Sequence, residues 1–504
     1  MKYDAVIIGA GTAGLACALR LSAEGRKVLV LERQGLPGGY ATTFQRRGFT
    51  FESSVHCVDG LEEGSQIRDF LEDTGVAKNI EFIQLNSFAR MIYPEHDFIL
   101  DFNRQDFMAF LQEQFPRQKD NIKRLFCSFD DFYAQFDRWC ASRMPDVLKI
   151  ILGPIIYPKF LRTSAYTVKQ LLEGYLGDEK LKAILTDIWR FAGLPPGRLS
   201  ALYFLLIFRG YNYSRNLYVK GGFIQIFRQM VKRIEDSGSR VMFNTAVNRI
   251  ITDKSGRVHA VATDKNEEFQ ADAVISSANV ADTLTKMPDN GLIKERYLSK
   301  LSSLEKSVSA VQLYLGLSMP AKKLGMDNFM FSINATYDHD DNFGYCLTGD
   351  YERCPLELVD HAQVDPGLVP AGKGSLTVMT LDSYSNWDNL RDDEYLRKKK
   401  EVADKFILRA QKYLPQLSRY VEFAELATPR TMEKYTLSTQ GAIYGFAQTV
   451  KQSGINRLPQ DTAIKGLFLA GAWTRPGGGV HACFISGLSA AELALRFLGN
   501  KKSG

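Results

Sequence analysis

The stretch that decides the fold is Ala5-Val6-Ile7-Ile8-Gly9-Ala10-Gly11-Thr12-Ala13-Gly14, followed by Leu15-Ala16-Cys17-Ala18-Leu19-Arg20-Leu21 and by Val28-Leu29-Val30-Leu31-Glu32. An apolar β-like run enters a glycine turn, small and apolar residues follow at helical spacing, and a second apolar run ends on a carboxylate. Each part has a physical task. Gly9 permits the tight turn, Gly11 lets the backbone approach a pyrophosphate, Gly14 lets helix and strand pack closely, and Glu32 accepts hydrogen bonds from a ribose. The spacing alone is a weak signal in a chain with 40 glycines. Its place between strand and helix, with an acid 18 residues beyond Gly14, makes it a dinucleotide-binding turn.

The other end of the chain repeats the arrangement. Gly466-Leu467-Phe468-Leu469-Ala470-Gly471-Ala472-Trp473 is strand-like, and Arg475-Pro476-Gly477-Gly478-Gly479-Val480 leads into a small-residue helix over 485–497. Between the two ends, Lys220-Gly221-Gly222 opens a helical pattern over 223–236, and 247–252 with 258–263 read as a hairpin. A further buried strand follows at 271–279. Alternating residues predict strands of a second sheet at 308–315, 330–334, 344–348 and 375–381, and 388–413 reads as a solvated helix. The expected fold is therefore α/β. A Rossmann-type nucleotide-binding domain in three pieces (1–70, 216–290, 441–504) is interleaved with an α+β substrate domain at 291–440 and a helical insertion at 71–215.

Composition narrows the function classes. The 504 residues are 45% hydrophobic and 24% charged, as in a folded globular protein, and the 32 Phe and 22 Tyr imply large apolar surfaces to fill. Basic residues exceed acids by only six and form no cluster or tail, so nucleic acid is not an expected partner. The seven cysteines contain no CxxC pair, which points away from a disulfide framework or a metal site and toward the cytoplasm. The chain runs from Met1 straight into its first strand, so neither a leader nor a membrane span is expected. Within 144–191, however, Lys149, Lys159 and Arg162 interrupt an apolar run, as in a helix lying in a membrane interface. A core helix with snorkelling lysines is the alternative.

The residues after Glu32-Arg33 decide between nucleotides. Pro37-Gly38-Gly39-Tyr40-Ala41-Thr42-Thr43, then Gly48-Phe49-Thr50-Phe51-Glu52, resemble the opening of flavoproteins of the amine oxidase and phytoene desaturase superfamily. The stretch from Gly466 to His481 resembles the closing FAD motif of the carotenoid desaturase, carotenoid isomerase and retinol saturase branch. Thr428-Pro429-Arg430-Thr431, Tyr435 and Gly441-Ala442-Ile443-Tyr444-Gly445-Phe446 resemble the segment before it. The resemblance implies an FAD-binding domain, with Gly9, Gly11, Ala13 and Gly14 at the diphosphate and Glu32 and Arg33 on the adenosine side. It further places Gly38, Gly39 and Thr43 in the continuing loop and Val247 at the adenine edge. Gly471 falls by the ribityl or diphosphate chain, and Gly479 and Val480 near the isoalloxazine. Backbone N–H groups at a helix start suit anionic charge on a reduced flavin.

The same resemblance implies desaturation, isomerisation or saturation of carbon–carbon double bonds in an apolar, polyene-like isoprenoid, with the electron acceptor or donor left open. Catalytic candidates are His481 after the closing glycines, Arg475, and His56 in Glu52-Ser53-Ser54-Val55-His56-Cys57; helix capping, a structural ion pair and a buried packing histidine are their respective alternatives. Tyr444, Phe446 and Trp189 are candidates for the substrate wall, with plain packing as the alternative. Two other functions compete: a flavin amine oxidase, and a prenyl-binding chaperone like the Rab dissociation inhibitors. The complete phosphate turn and closing motif weigh against the second.

Overall fold

The computed structural model describes residues 2–85, 87, 89–100, 103–142, 144, 146–288 and 295–499. Strand β1 (Lys2–Ile8), helix α1 (Thr12–Ala23) and strand β2 (Val28–Leu31) form the predicted βαβ unit, with β1 and β2 parallel and in register from Ala5↔Val28 to Ile8↔Leu31. From Ala5 to Ile8 and from Val28 to Leu31 every residue is buried, as expected of parallel strands covered on both faces. Arg240–Met242 extends the sheet beyond β2, and the long strand Glu268–Ser276 lies on the other side of β1. The first half of that long strand pairs with the hairpin 247–263 and its second half with Leu467–Leu469. One sheet thus collects strands from the beginning, middle and end of the chain.

A second sheet has the order Val421–Ala427, Ser309–Leu317, Gly374–Asp382, Leu356–Val359, Met330–Ile333, Ala89–Ile92 and Asp97–Leu100. Its last two strands come from 71–215, so that segment is not wholly helical. Their four residues each carry too little alternation to register as strands in the sequence. The expected strand at 344–348 is instead the end of a helix, His339–Thr348. Asp338 starts it by accepting from the Asp340 and Asp341 N–H groups at 2.9 and 3.1 Å, and Gly349 stops it in the left-handed region at φ 67°.

The two ends of the chain meet in a helix pair. Helix Val480–Gly499 is long and apolar enough to cross a bilayer, but it packs on α1 so closely that a Cβ at Gly487 would lie 2.3 Å from the Ala13 carbonyl oxygen. Helices between Arg104–Gln114 and Ala201–Tyr213 share an aromatic core of Phe107, Phe126, Phe129 and Phe208, and Phe107 and Phe208 line a small cavity with Met91 and Leu100 of the second sheet. The partly accessible rings of Phe191, Tyr211 and Tyr444, with the exposed Gly479 at the start of the C-terminal helix, border the cleft considered below.

Candidate functional site: an FAD cradle and its cleft

The glycine turn has the geometry its sequence implies. Gly9 adopts φ +96°, and a Cβ at Gly14 would lie 2.0 Å from the Gly9 carbonyl oxygen, so no larger residue fits there. Gly11 borders open space: the nearest atom to an added Cβ is the Gly39 Cα at 4.0 Å. The Gly38 N–H donates to the Ala10 carbonyl at 2.8 Å, which brings the second glycine loop beside the first. Glu32 is oriented by the N–H groups of Ala10 and Gln34, one on each carboxylate oxygen at 2.7 Å, which leaves lone pairs for ribose hydroxyls. Arg33 is tied to the Lys434 and Tyr435 carbonyls at 2.7 and 2.9 Å. Val247 begins its strand, buried, opposite Thr263.

Thr43 departs from its expected role. Its hydroxyl donates to Glu52 at 2.9 Å and accepts from the Ile224 N–H at 3.1 Å, so it stitches the 43–52 hairpin to the helix Ile224–Asp236. The neighbouring Thr42 has a buried hydroxyl with no partner in the protein. A polar atom left unmade beside a glycine cradle fits the oxygen-rich chain of FAD.

At the closing motif, Gly471 faces Ala13, whose Cβ would lie 3.6 Å from one added to the glycine. Its N–H donates to Ser486 inside the C-terminal helix at 2.9 Å. Gly479 is exposed, has φ +93°, and precedes Val480, the first helical residue. The first N–H groups of that helix therefore open toward the cleft without intrahelical acceptors. Tyr203 donates to the Gly478 carbonyl at 2.6 Å, and a Cβ at Gly478 would lie 2.6 Å from the Tyr444 Cα. The aromatic wall is pressed directly against the glycine turn.

Arg457, which sequence reading did not single out, holds this region in place. It is buried, and donates to the carbonyls of Thr474 at 2.8 Å, Phe446 at 3.1 Å, Tyr444 at 3.2 Å and also Ala472. Burial pushes its pKa down to about 10, so it remains a cation at neutral pH. Arg475, expected as a catalytic candidate, turns its guanidinium away from the cleft to the carbonyls of Arg457 at 3.1 Å and Ile455 at 2.5 Å. It fastens the loop.

His481 lies at the rim, with Nδ1 3.0 Å from an Asp59 carboxylate oxygen. Burial opposes its protonation, but Asp59, with Glu62 beyond, outweighs burial and raises its pKa above the ordinary value. His56 is deep. Burial, reinforced by His361, lowers its pKa to about 3, so it is neutral; its Nε2 meets the Tyr211 hydroxyl at 2.9 Å and its ring packs 4.6 Å from Phe191. Tyr444 is partly accessible and bonds the Arg190 carbonyl at 3.3 Å. The other two wall candidates face elsewhere. Phe446 is buried edge-on against Trp473 at 4.9 Å, and Trp189 is fully buried against His339 and Phe343. Phe191, Ile207, Tyr211, Met379 and Ile443 are also partly accessible, and come from four separate segments of the chain.

Fold and cradle together define a flavoprotein oxidoreductase. Residues 12–495 match the family of flavin-containing amine oxidoreductases, and the chain belongs to that family. Its cofactor is FAD. Within the family it is similar to prolycopene isomerase 1 of an Oncidium hybrid cultivar, at 27% identity over 99% of this chain and 85% of that one. It is also similar to the all-trans-retinol 13,14-reductase of Danio rerio, at 25% identity over 93% of this chain and 82% of that one. Among solved structures, an oxidoreductase from Methanosarcina mazei superposes with a TM-score of 0.65 at 18% identity, covering 98% of this chain and all of that one. The chain is thus an FAD-dependent oxidoreductase of the flavin-containing amine oxidoreductase family, similar over nearly its whole length to proteins named for carotenoid and retinoid chemistry.

Proposed function

We propose that this protein desaturates, isomerises or saturates carbon–carbon double bonds of a conjugated isoprenoid polyene. The observation that carries the reading is the apolar surround of the closing turn: Tyr203 and Tyr444 are pressed against Gly478, and His56, packed against Phe191 and Tyr211, is held neutral by burial. Such walls take up an extended hydrocarbon and exclude water. FAD, when bound, supplies hydride or single-electron exchange. The chain's own residues then have positional tasks. Tyr203 and Arg457 fix the glycine turn, the free N–H groups of the C-terminal helix stabilise negative charge next to it, and Tyr211 with His56 supplies a hydroxyl whose proton can be shared across 2.9 Å.

The same reading includes a cytoplasmic protein seated on a membrane surface. Helix Asp146–Ile156 exposes Leu148, Ile151, Leu152, Ile155 and Ile156, with Ile155 79% exposed. Lys123, Arg124 and Lys159 border an adjoining groove with Asp131 as its one acid. An apolar ridge beside cations suits an anionic bilayer from which such a substrate is drawn.

The test is anaerobic incubation of the flavin-loaded protein with polyenes and, separately, with primary amines, followed by flavin absorbance. Bleaching or product formation with a polyene alone supports the reading. Bleaching by amines alone overturns it.

A further inference from the structure

A buried charged group adjoining Phe191 and Tyr444 has unmet hydrogen-bonding capacity. Asp187 and Arg190 lie on the turn Asp187–Ala192, and Glu357 lies in the strand Leu356–Val359 of the second sheet. All three are under 5% exposed. Asp187 is well satisfied, by Tyr93 at 2.7 Å, Ser332 at 2.6 Å, Asn334 at 2.8 Å and Arg190 at 2.8 Å. Arg190 spends only Nη2, on Asp187 and Ser332. Its Nε comes within 3.2 Å of Glu357 Oε1, but out of line for a hydrogen bond. Arg190 Nε and Nη1 and both Glu357 oxygens are therefore buried without hydrogen-bond partners. That is an expensive arrangement unless something completes it.

Its position says what would complete it. Glu357 is in register with Ser332 on one side and Met379 on the other, so the three side chains share one face of the sheet. Met379 is the partly accessible residue of its otherwise buried strand. Phe191, next to Arg190 in the chain, packs between His56 at 4.6 Å and Tyr211 at 5.2 Å, and Tyr444 bonds the Arg190 carbonyl. Glu357 also acts electrostatically on the hydroxyls of both Tyr211 and Tyr444. The pair sits directly behind the aromatic wall.

We propose that Arg190 and Glu357 bind the terminal hydroxyl of a polyene alcohol, the O–H donating to a Glu357 oxygen and accepting from Arg190 Nε–H or Nη1–H. An alcohol fits because it is neutral and both gives and takes a hydrogen bond. A carboxylate would bring a third acid to one guanidinium, and a hydrocarbon end would leave every orphan unmet. This inference rests on the polyene reading and narrows it to an oxygenated substrate.

The test uses the FAD-loaded protein and matched pairs: all-trans-retinol against axerophthene, which lacks only the hydroxyl, and 1-hydroxylycopene against lycopene. Affinities are read by quenching of intrinsic fluorescence. In the wild type one alcohol binds at least about tenfold tighter than its hydrocarbon. Glu357→Leu reduces that preference to about threefold or less by weakening the alcohol alone, whereas Glu357→Gln, which keeps an acceptor, retains most of it. Should Glu357→Leu not fold, Arg190→Lys serves instead, because it keeps the charge beside Asp187 and removes the Nε donor. Equal affinity for alcohol and hydrocarbon in the wild type overturns the proposal, as does a parallel loss of both ligands in the variants. Binding of no polyene at all overturns the broader reading, and this one with it.

Discussion

Arg457 shows how much of the site depends on a side chain whose sequence context, Ile455-Asn456-Arg457-Leu458, looks like an ordinary loop. Its guanidinium donates to five carbonyls, those of Tyr444, Phe446, Gln452, Ala472 and Thr474, and removing it takes those donors away. Each orphan costs about 1–3 kcal/mol when burial persists. Arg457→Met, which keeps the apolar stem, is therefore expected to lower the melting temperature and to weaken FAD retention by at least about tenfold. Flavin fluorescence after gel filtration checks both. A variant that keeps its flavin and its melting temperature would show that these bonds are dispensable. At this scale the glycines and Glu32 were legible because backbone conformation and close approach leave few residue types to choose from. Arg457, Thr42 and Glu357 were not, since their roles exist only after distant segments meet.

Elements were legible where one period persisted. The βαβ unit, the hairpin 247–263 and the helix at 392–410 carry their patterns over enough residues to be recognised. The four-residue strands at 89–92 and 97–100 do not, and the Gly344–Thr348 segment alternates by chance within a helix whose start is fixed by Asp338. The pairing of α1 with the C-terminal helix is half visible: the small residues are in the sequence, their mutual contact is not. Gly487 is the point of closest approach, and its would-be Cβ meets backbone, which cannot swing aside. Gly487→Ala is thus predicted to destabilise by about 1–3 kcal/mol and to loosen the dinucleotide turn with it, because Ala13 is part of both contacts. A thermal melt followed by flavin fluorescence reads the two effects together. An unchanged melt would place the helix pair farther apart than described.

For the molecule as a whole, the first glycine turn and the closing motif adjoin at Ala13 and Gly471, so an FAD held by both would link cofactor binding to closure of the fold. The Asp59–His481 contact is one direct latch, joining positions 422 residues apart beside the cleft. Its pH dependence follows from the direction of the shift. The folded state holds the His481 proton more tightly than the unfolded chain, whose histidine titrates near pH ~6.5, so the latch contributes fully below that pH and fades as pH rises through the higher folded value. His481 is 42% exposed and solvent screens the pair, so the effect belongs to local closure rather than to a large share of global stability. Wild-type protein should release FAD faster as pH is raised above about 6.5, and Asp59→Asn should release it at the faster rate throughout, with a flatter pH profile. Release is measured by the rise of free-flavin fluorescence after dilution. A variant that keeps the wild-type pH dependence would assign the proton to another group and leave His481 as a rim residue. Loss of that dependence in Asp59→Asn alone would show that one ion pair, made only when the two ends of the sequence come together, governs how firmly the cofactor is enclosed.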